Sequence, residues 1–164
     1  MTPPDDAGAA PPCAFCAIVS GEAEAFVVYE DDATLAFLDH RPLFPGHTLV
    51  IPRTHVETLP DLPAAALGAF FEVVQRVARV MPAAMEAEGT FVANNNRVSQ
   101  SVAHLHLHVV PRSRGDGLRG FFWPRHPYDG PEHMREVGRR LRVALERTSL
   151  PPTQRGTSDP RRGT

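Results

Sequence analysis

Three imidazoles recur at every second position in His104-Leu105-His106-Leu107-His108. Successive side chains of a β-strand point to opposite faces. The alternation therefore predicts a strand over 103–111, with a dry face of Leu105, Leu107 and Val109 and a chemical face of three rings. At a rise of about 3.3 Å per residue, neighbouring members of the trio stand roughly 6 to 7 Å apart at their backbones, close enough to share one phosphate or one metal ion. Imidazole acts near neutral pH as nucleophile, proton donor or metal ligand, and the spacing alone allows all three. The chain has only two cysteines, Cys13 and Cys16. A C-x-x-C pair in a reducing compartment holds metal or does redox chemistry more readily than it staples a fold, and no βαβ pattern surrounds this one to favour the redox reading.

The elements that must position these groups follow from periodicity. FVVYE (26–30), TLAFL (34–38) and HTLVIP (47–52) are β-branched and aromatic runs separated by turn-forming residues, and TFVAN (90–94) has the same character. From Leu62 onward the period changes: Leu67, Phe70, Phe71, Val74, Val77, Ala78 and Met81 form the stripe of an amphipathic helix. Asp61 and Pro63 suit its start, and Pro82 is expected to kink or end it. A second helix is expected over about 132–147 behind Pro131, faced by Met134, Val137, Leu141 and Leu145. Strands, one long helix, then strands again give an α+β domain, the helix packed on one face of an antiparallel sheet.

A chain of 164 residues is sized for one domain with one core. Residues 1–12 and 149–164 are rich in proline, glycine and small polar residues and read as disordered tails. The domain then covers 13–148, with a core of 13–112 and an extension of 113–148. A net charge of −2 offers no nucleic-acid surface. No run approaches the roughly 20 apolar residues of a membrane span, and the acidic, proline-rich start does not read as a signal peptide, so a cytoplasmic protein is expected.

SQSVAHLHLHVVPR (99–112) resembles the His-φ-His-φ-His-φ-φ signature of the histidine triad family, φ being apolar. FLDHRPLFPGHTLVIPRTH (37–55) is similar to that family's strand-turn-strand before its long helix, and CAFC (13–16) to the metal pair of its zinc-bearing bacterial members. The resemblance implies an antiparallel meander with a central helix, paired with a second copy through a continuous sheet. It implies attack by a histidine on the α-phosphorus of a nucleotide derivative, through a nucleotidyl-histidine intermediate.

On this resemblance the nucleophile is His106 and the phosphate is held by His108, with His47, Gln100 and Ser101 as further donors. Asp39 falls where the family binds ribose hydroxyls, and Asn94 or Asn95 where it places an asparagine contact. Cys13, Cys16, His55 and His104 would form a closed, structural zinc site. The chain departs from the pattern in a bulky Asn94–Ser99 loop where many members are glycine-rich. Beyond the triad, arginines mixed with Phe121, Phe122 and Trp123 suit base stacking, a phosphate rim or a dimer contact. Two other functions stay open: a metallohydrolase holding its ion on all three histidines, and a nucleotide-binding module without turnover.

Overall fold

The computed structural model describes residues 13–118 and 126–147. Both expected tails, and Trp123 with its aromatic neighbours, lie outside the described residues. Five strands, β1 (Val27–Glu30), β2 (Thr34–Leu38), β3 (Thr48–Pro52), β4 (Gly89–Ala93) and β5 (Leu107–Arg112), form one antiparallel sheet in the order β1-β2-β3-β5-β4. The helices are α1 (Ala14–Ser20), α2 (Ala64–Met85) and α3 (Pro131–Arg147). Helix α3 belongs to a separate unit that begins at Arg119. None of the described helices is long and apolar enough to cross a membrane.

The strand period of two sorts the sheet into two apolar layers. Ala36, Val50, Leu107 and Val109 pack with Phe70, Val73, Val74 and Met81 of α2. Leu35, Phe37, Leu49 and Ile51, one position out of phase, pack with Phe15 of α1. The expected helical stripe supplies Phe70, Val74 and Met81 to the first layer but leaves Leu67 and Phe71 exposed, and the sequence reading misses α1, whose seven residues are too few to show a stripe. His108 pairs with Leu49 across the sheet while Leu107 pairs with Val50, which puts the histidine on the α1 side.

Two boundaries differ from expectation. Helix α2 runs through Pro82 and ends after Met85, because a proline one turn from the end removes a single N–H. Glu86 then turns left-handed at φ 52°, and the Pro82 carbonyl accepts the closing bond. Asp61 caps a short 3-10 turn, Leu59–Asp61, through a reciprocal box with Thr58, and not α2 itself. The β5 ladder begins at Leu107, not at residue 103. Upstream the backbone bonds elsewhere: Leu105 donates to the Val56 carbonyl at 2.7 Å, and the His106 carbonyl accepts from Asn94 Nδ2 at 2.9 Å. His104 and His106 therefore lie on an irregular, buried approach to the strand.

Candidate active site and metal centre

The three histidines divide because each ring has a different partner. His104 is fully buried, and its Nε2–H donates to the Pro52 carbonyl at 2.8 Å. That bond leaves the Nδ1 lone pair facing Cys13 Sγ at 3.5 Å and Cys16 Sγ at 3.7 Å, while His55 Nδ1 stands 3.3 Å from Cys16 Sγ. The ligand atoms of Cys13, Cys16, His55 and His104 all lie within 4.8 Å of one another. Two thiols and two imidazoles, one oriented from behind by a backbone carbonyl, are a donor set that fits a tetrahedral zinc ion. Burial, reinforced by the adjacent Cys13 sulfur, pushes the Cys16 thiol up, a direction that a cation between the sulfurs reverses. Burial also pushes the His104 ring below its ordinary value, so it stays neutral as a ligand must.

His106 is 2% exposed, and its Nδ1–H donates to the carbonyl of His104 at 2.7 Å. Its tautomer is thereby set, and Nε2 carries the lone pair. The peptide unit that presents one metal-facing ring thus also orients the next histidine. Phe15, held between the two cysteines, stands edge-on to both rings, 5.9 Å from His104 and 5.2 Å from His106.

A second set of bonds fixes His108. The Leu43 N–H donates to His47 Nδ1 at 3.2 Å, which leaves the proton on His47 Nε2, and that nitrogen donates to His108 Nδ1 at 2.9 Å. The remaining His108 nitrogen, Nε2, is then an N–H donor. Burial, followed by the nearby His106 and His47 rings, pushes His108 down to about 4 against the opposing Asp39 carboxylate. Burial likewise lowers His47, with Asp39 acting against it. Asp39 Oδ2 lies 3.5 Å from His47 Nδ1, and its Oδ1 accepts from the Arg41 N–H at 2.8 Å.

His106 and His108 open on a cavity of about 590 Å³, with Phe15, Phe37 and Leu49 on its apolar wall. Asp39 and Ser101 line the same space. One carboxylate, a hydroxyl, a neutral imidazole donor and an imidazole lone pair around an apolar slot suit a flat ring joined through a polyol to a phosphate.

The other expected contacts are engaged within the protein. Asn94 Nδ2 is on the His106 carbonyl, and its buried Oδ1 has no partner. Asn95 Nδ2 donates to the Ser99 carbonyl at 3.3 Å. Gln100 accepts from the Arg97 N–H and donates to the Glu57 carbonyl, both at 2.6 Å. These amides build the loop, and neither Asn94, Asn95 nor Gln100 lines the cavity. Phe15 and Arg41 also line the cavity and were not expected from the sequence; the one sign of the former is its place inside the cysteine pair.

The family model for the HIT domain matches residues 20–115. A crystal structure of a HIT family member from Bacillus subtilis superposes with a TM-score of 0.75 at 34% identity, covering 85% of this chain and 99% of that one. A zinc-bound histidine triad protein from Mycobacterium smegmatis is 44% identical, with a TM-score of 0.62 over 83% of this chain and 94% of its own. Among relatives named for an activity are an adenylylsulfatase of Arabidopsis thaliana, 34% identical over 65% of this chain and 55% of its own, and an adenosine 5'-monophosphoramidase of Schizosaccharomyces pombe, 31% identical over 79% and 95%.

Proposed function

The chain belongs to the HIT family, and from that premise we propose that it is a nucleotide hydrolase or nucleotidyl transferase acting at an α-phosphate through a covalent intermediate on His106. Its substrates are nucleoside phosphoramidates, dinucleoside polyphosphates or similar adducts. The observation that carries the reading is the 2.7 Å bond from His106 Nδ1–H to the His104 carbonyl, which leaves an imidazole lone pair in the lining shared with Ser101 and His108.

His106 Nε2 attacks phosphorus, and the bond to the leaving group breaks with its electron pair. Water or another acceptor then attacks the phosphorus and returns the pair to Nε2, dividing one hard displacement into two. His108 Nε2–H and the Ser101 hydroxyl hold the non-bridging oxygens, where charge shifts during each step. His47 acts behind His108 by keeping its proton on the outer nitrogen. Asp39 accepts from the ribose hydroxyls, and the phenyl rings of Phe15 and Phe37 border the base.

Cys13, Cys16, His55 and His104 would hold the zinc, and the ion would cross-link α1 to the exposed His55 segment and the buried His104 segment without an open position for water. A metallohydrolase on all three histidines is disfavoured, because His104 turns toward the cysteines and His108 toward His47. The same reading joins two copies edge to edge along β4. That strand ends the sheet, and Val92 on it and Leu67 and Phe71 on α2 stay exposed at 43%, 38% and 39%.

The test is a panel of adenylated and guanylated phosphoramidates and dinucleoside polyphosphates, with trapping of nucleotidyl-histidine by mass spectrometry. In His106→Gly, turnover should fall by at least roughly 10⁴ with zinc content and fold unchanged. Full activity in that variant overturns the reading.

A further inference from the structure

We propose that the outer edge of β1 docks a short extended segment of a partner protein, which adds a strand beside Val27 and Val28 and turns an aliphatic side chain and a carboxylate toward α2. β1 is the edge of the sheet opposite β4 and has no strand beside it among the described residues. The Leu38 N–H donates to the Phe26 carbonyl at 2.9 Å, and Val27 lies opposite Phe37. Bonded and non-bonded positions alternate along an antiparallel pair, so the N–H and carbonyl of Val27 turn away from β2. The register slips between Val27 and Tyr29, which leaves Val28 outside the ladder as the extra residue of a bulge. Edges are commonly guarded by lysine, proline or inward charge. The run Phe26-Val27-Val28 has none of these, and all three side chains are exposed. The bulge shortens the stretch that can pair, which suits a segment of a few residues better than the whole edge of a second copy.

The α2 side of this edge is where the sheet is left uncovered. A helix about 10 Å across spans roughly two strands, and α2 lies over β3, β5 and β4. Beside it runs an apolar trough of about 280 Å³, walled by Val28, Leu38, Val77, Val80 and Met85, and the one charged group on its lining is Arg76. The position of that guanidinium is fixed. Its Cζ stands 4.7 Å from the centroid of the Tyr29 ring, and Nη1 donates to the Tyr29 hydroxyl at 3.1 Å. A cation from α2 is thereby laid over the edge strand itself.

The other charges of this edge are matched. Glu30 pairs with Arg53 at 2.6 Å, and Asp31 accepts from the Tyr29 hydroxyl and from the Ala33 and Thr34 N–H groups. Arg76 forms no ion pair among the described residues. A guanidinium has five N–H donors, so the bond to Tyr29 leaves it able to take a carboxylate. Residues two apart on an added strand share a face. An aliphatic residue and an acidic one at that spacing therefore meet the trough and Arg76 together, while the main chain bonds Val27. Backbone bonds give such a complex its affinity, and the alternate side chains give its specificity.

The experiment titrates the isotope-labelled full chain with a blocked synthetic peptide of about eight residues, valine and glutamate standing two positions apart among threonines. Binding should saturate, shift the amides of Val27, Val28 and Tyr29, and slow hydrogen exchange at the Val27 N–H by at least about tenfold. Glutamine in place of the peptide's glutamate should weaken binding to the wild type by about two- to fivefold, and Arg76→Gln should bind both peptides alike. Val27→Pro removes a donor that faces away from β2 and should abolish binding with the remaining amide shifts unchanged. Absence of binding, unchanged exchange at Val27, equal affinity of the two peptides for the wild type, or undiminished binding to Val27→Pro each overturn the proposal. If Val27 is already protected in the free protein at high concentration, and Val27→Pro lowers the sedimenting mass, the edge belongs to a second copy and the proposal fails.

Discussion

His108 carries its proton on Nε2 because two hydrogen bonds, Leu43 to His47 and His47 to His108, decide its tautomer, and burial favours its neutral ring. Its value is pushed from the ordinary 6.5 to about 4. A group depressed in the folded state stabilises it above the ordinary value. That stability is lost as pH falls from about 6.5 toward about 4. The expected outcome is a wild-type melting temperature that declines over this window more steeply than that of His108→Gln, and an imidazole proton shift for His108 that titrates near the lower limit. A midpoint near 6.5 in that titration contradicts the tautomer chain. At this scale the sequence was legible where residue type restricts chemistry: the C-x-x-C pair with His55 and His104 does converge, and alternation does place Leu107 and Val109 on the dry side. It was illegible for Asn94 and Gln100. An amide serves a ligand or a backbone equally well, and the choice rests on a Glu57 carbonyl 43 residues away.

Elements matched the pattern best where burial imposes a strict period, as in β2, whose bounds are those expected, and worst where local bonds compete with the ladder, as in 103–106. The loop before β5 shows why. Arg97 and Ser99 occupy the left-handed region at φ 67° and 60°, which costs an L-residue roughly 1 to 2 kcal/mol. Ser99→Gly should raise stability by roughly 0.5 to 1 kcal/mol after allowance for the freer unfolded chain, measured by urea unfolding; a decrease would indicate that the serine side chain has a role of its own. Helix α1 is the other element set by its surroundings. With the proposed zinc ligands Cys13 and Cys16 at its start and Phe15 and Ile18 against the sheet, it should detach when zinc is withheld. Chelation, or Cys16→Ser, should speed hydrogen exchange at the amides of 17–20 while β5 stays protected. Unchanged exchange there would show that apolar packing alone holds α1.

At the scale of the sheet, β4 is one of its two edges and, with Val92 exposed, has no strand beside it among the described residues, an edge that proteins rarely leave flat and open. A dimer in sedimentation velocity, converted to monomer by Val92→Lys, is the expected result; a wild-type monomer at micromolar concentration rejects edge pairing. The unit beginning at Arg119 carries an amphipathic α3 whose Met134 and Leu141 are exposed, and its periodicity was readable although its role was not. One separation in the chain bears on how the protein is made. Cys13 and His104 meet across 91 residues, so the thiols emerge from the ribosome first and their last ligand emerges roughly 5 to 20 s later at ordinary elongation rates. If the proposed zinc site forms, the nascent chain bears an unshielded dithiol throughout that interval, and synthesis under oxidative stress or metal starvation is when the protein should be most easily spoiled.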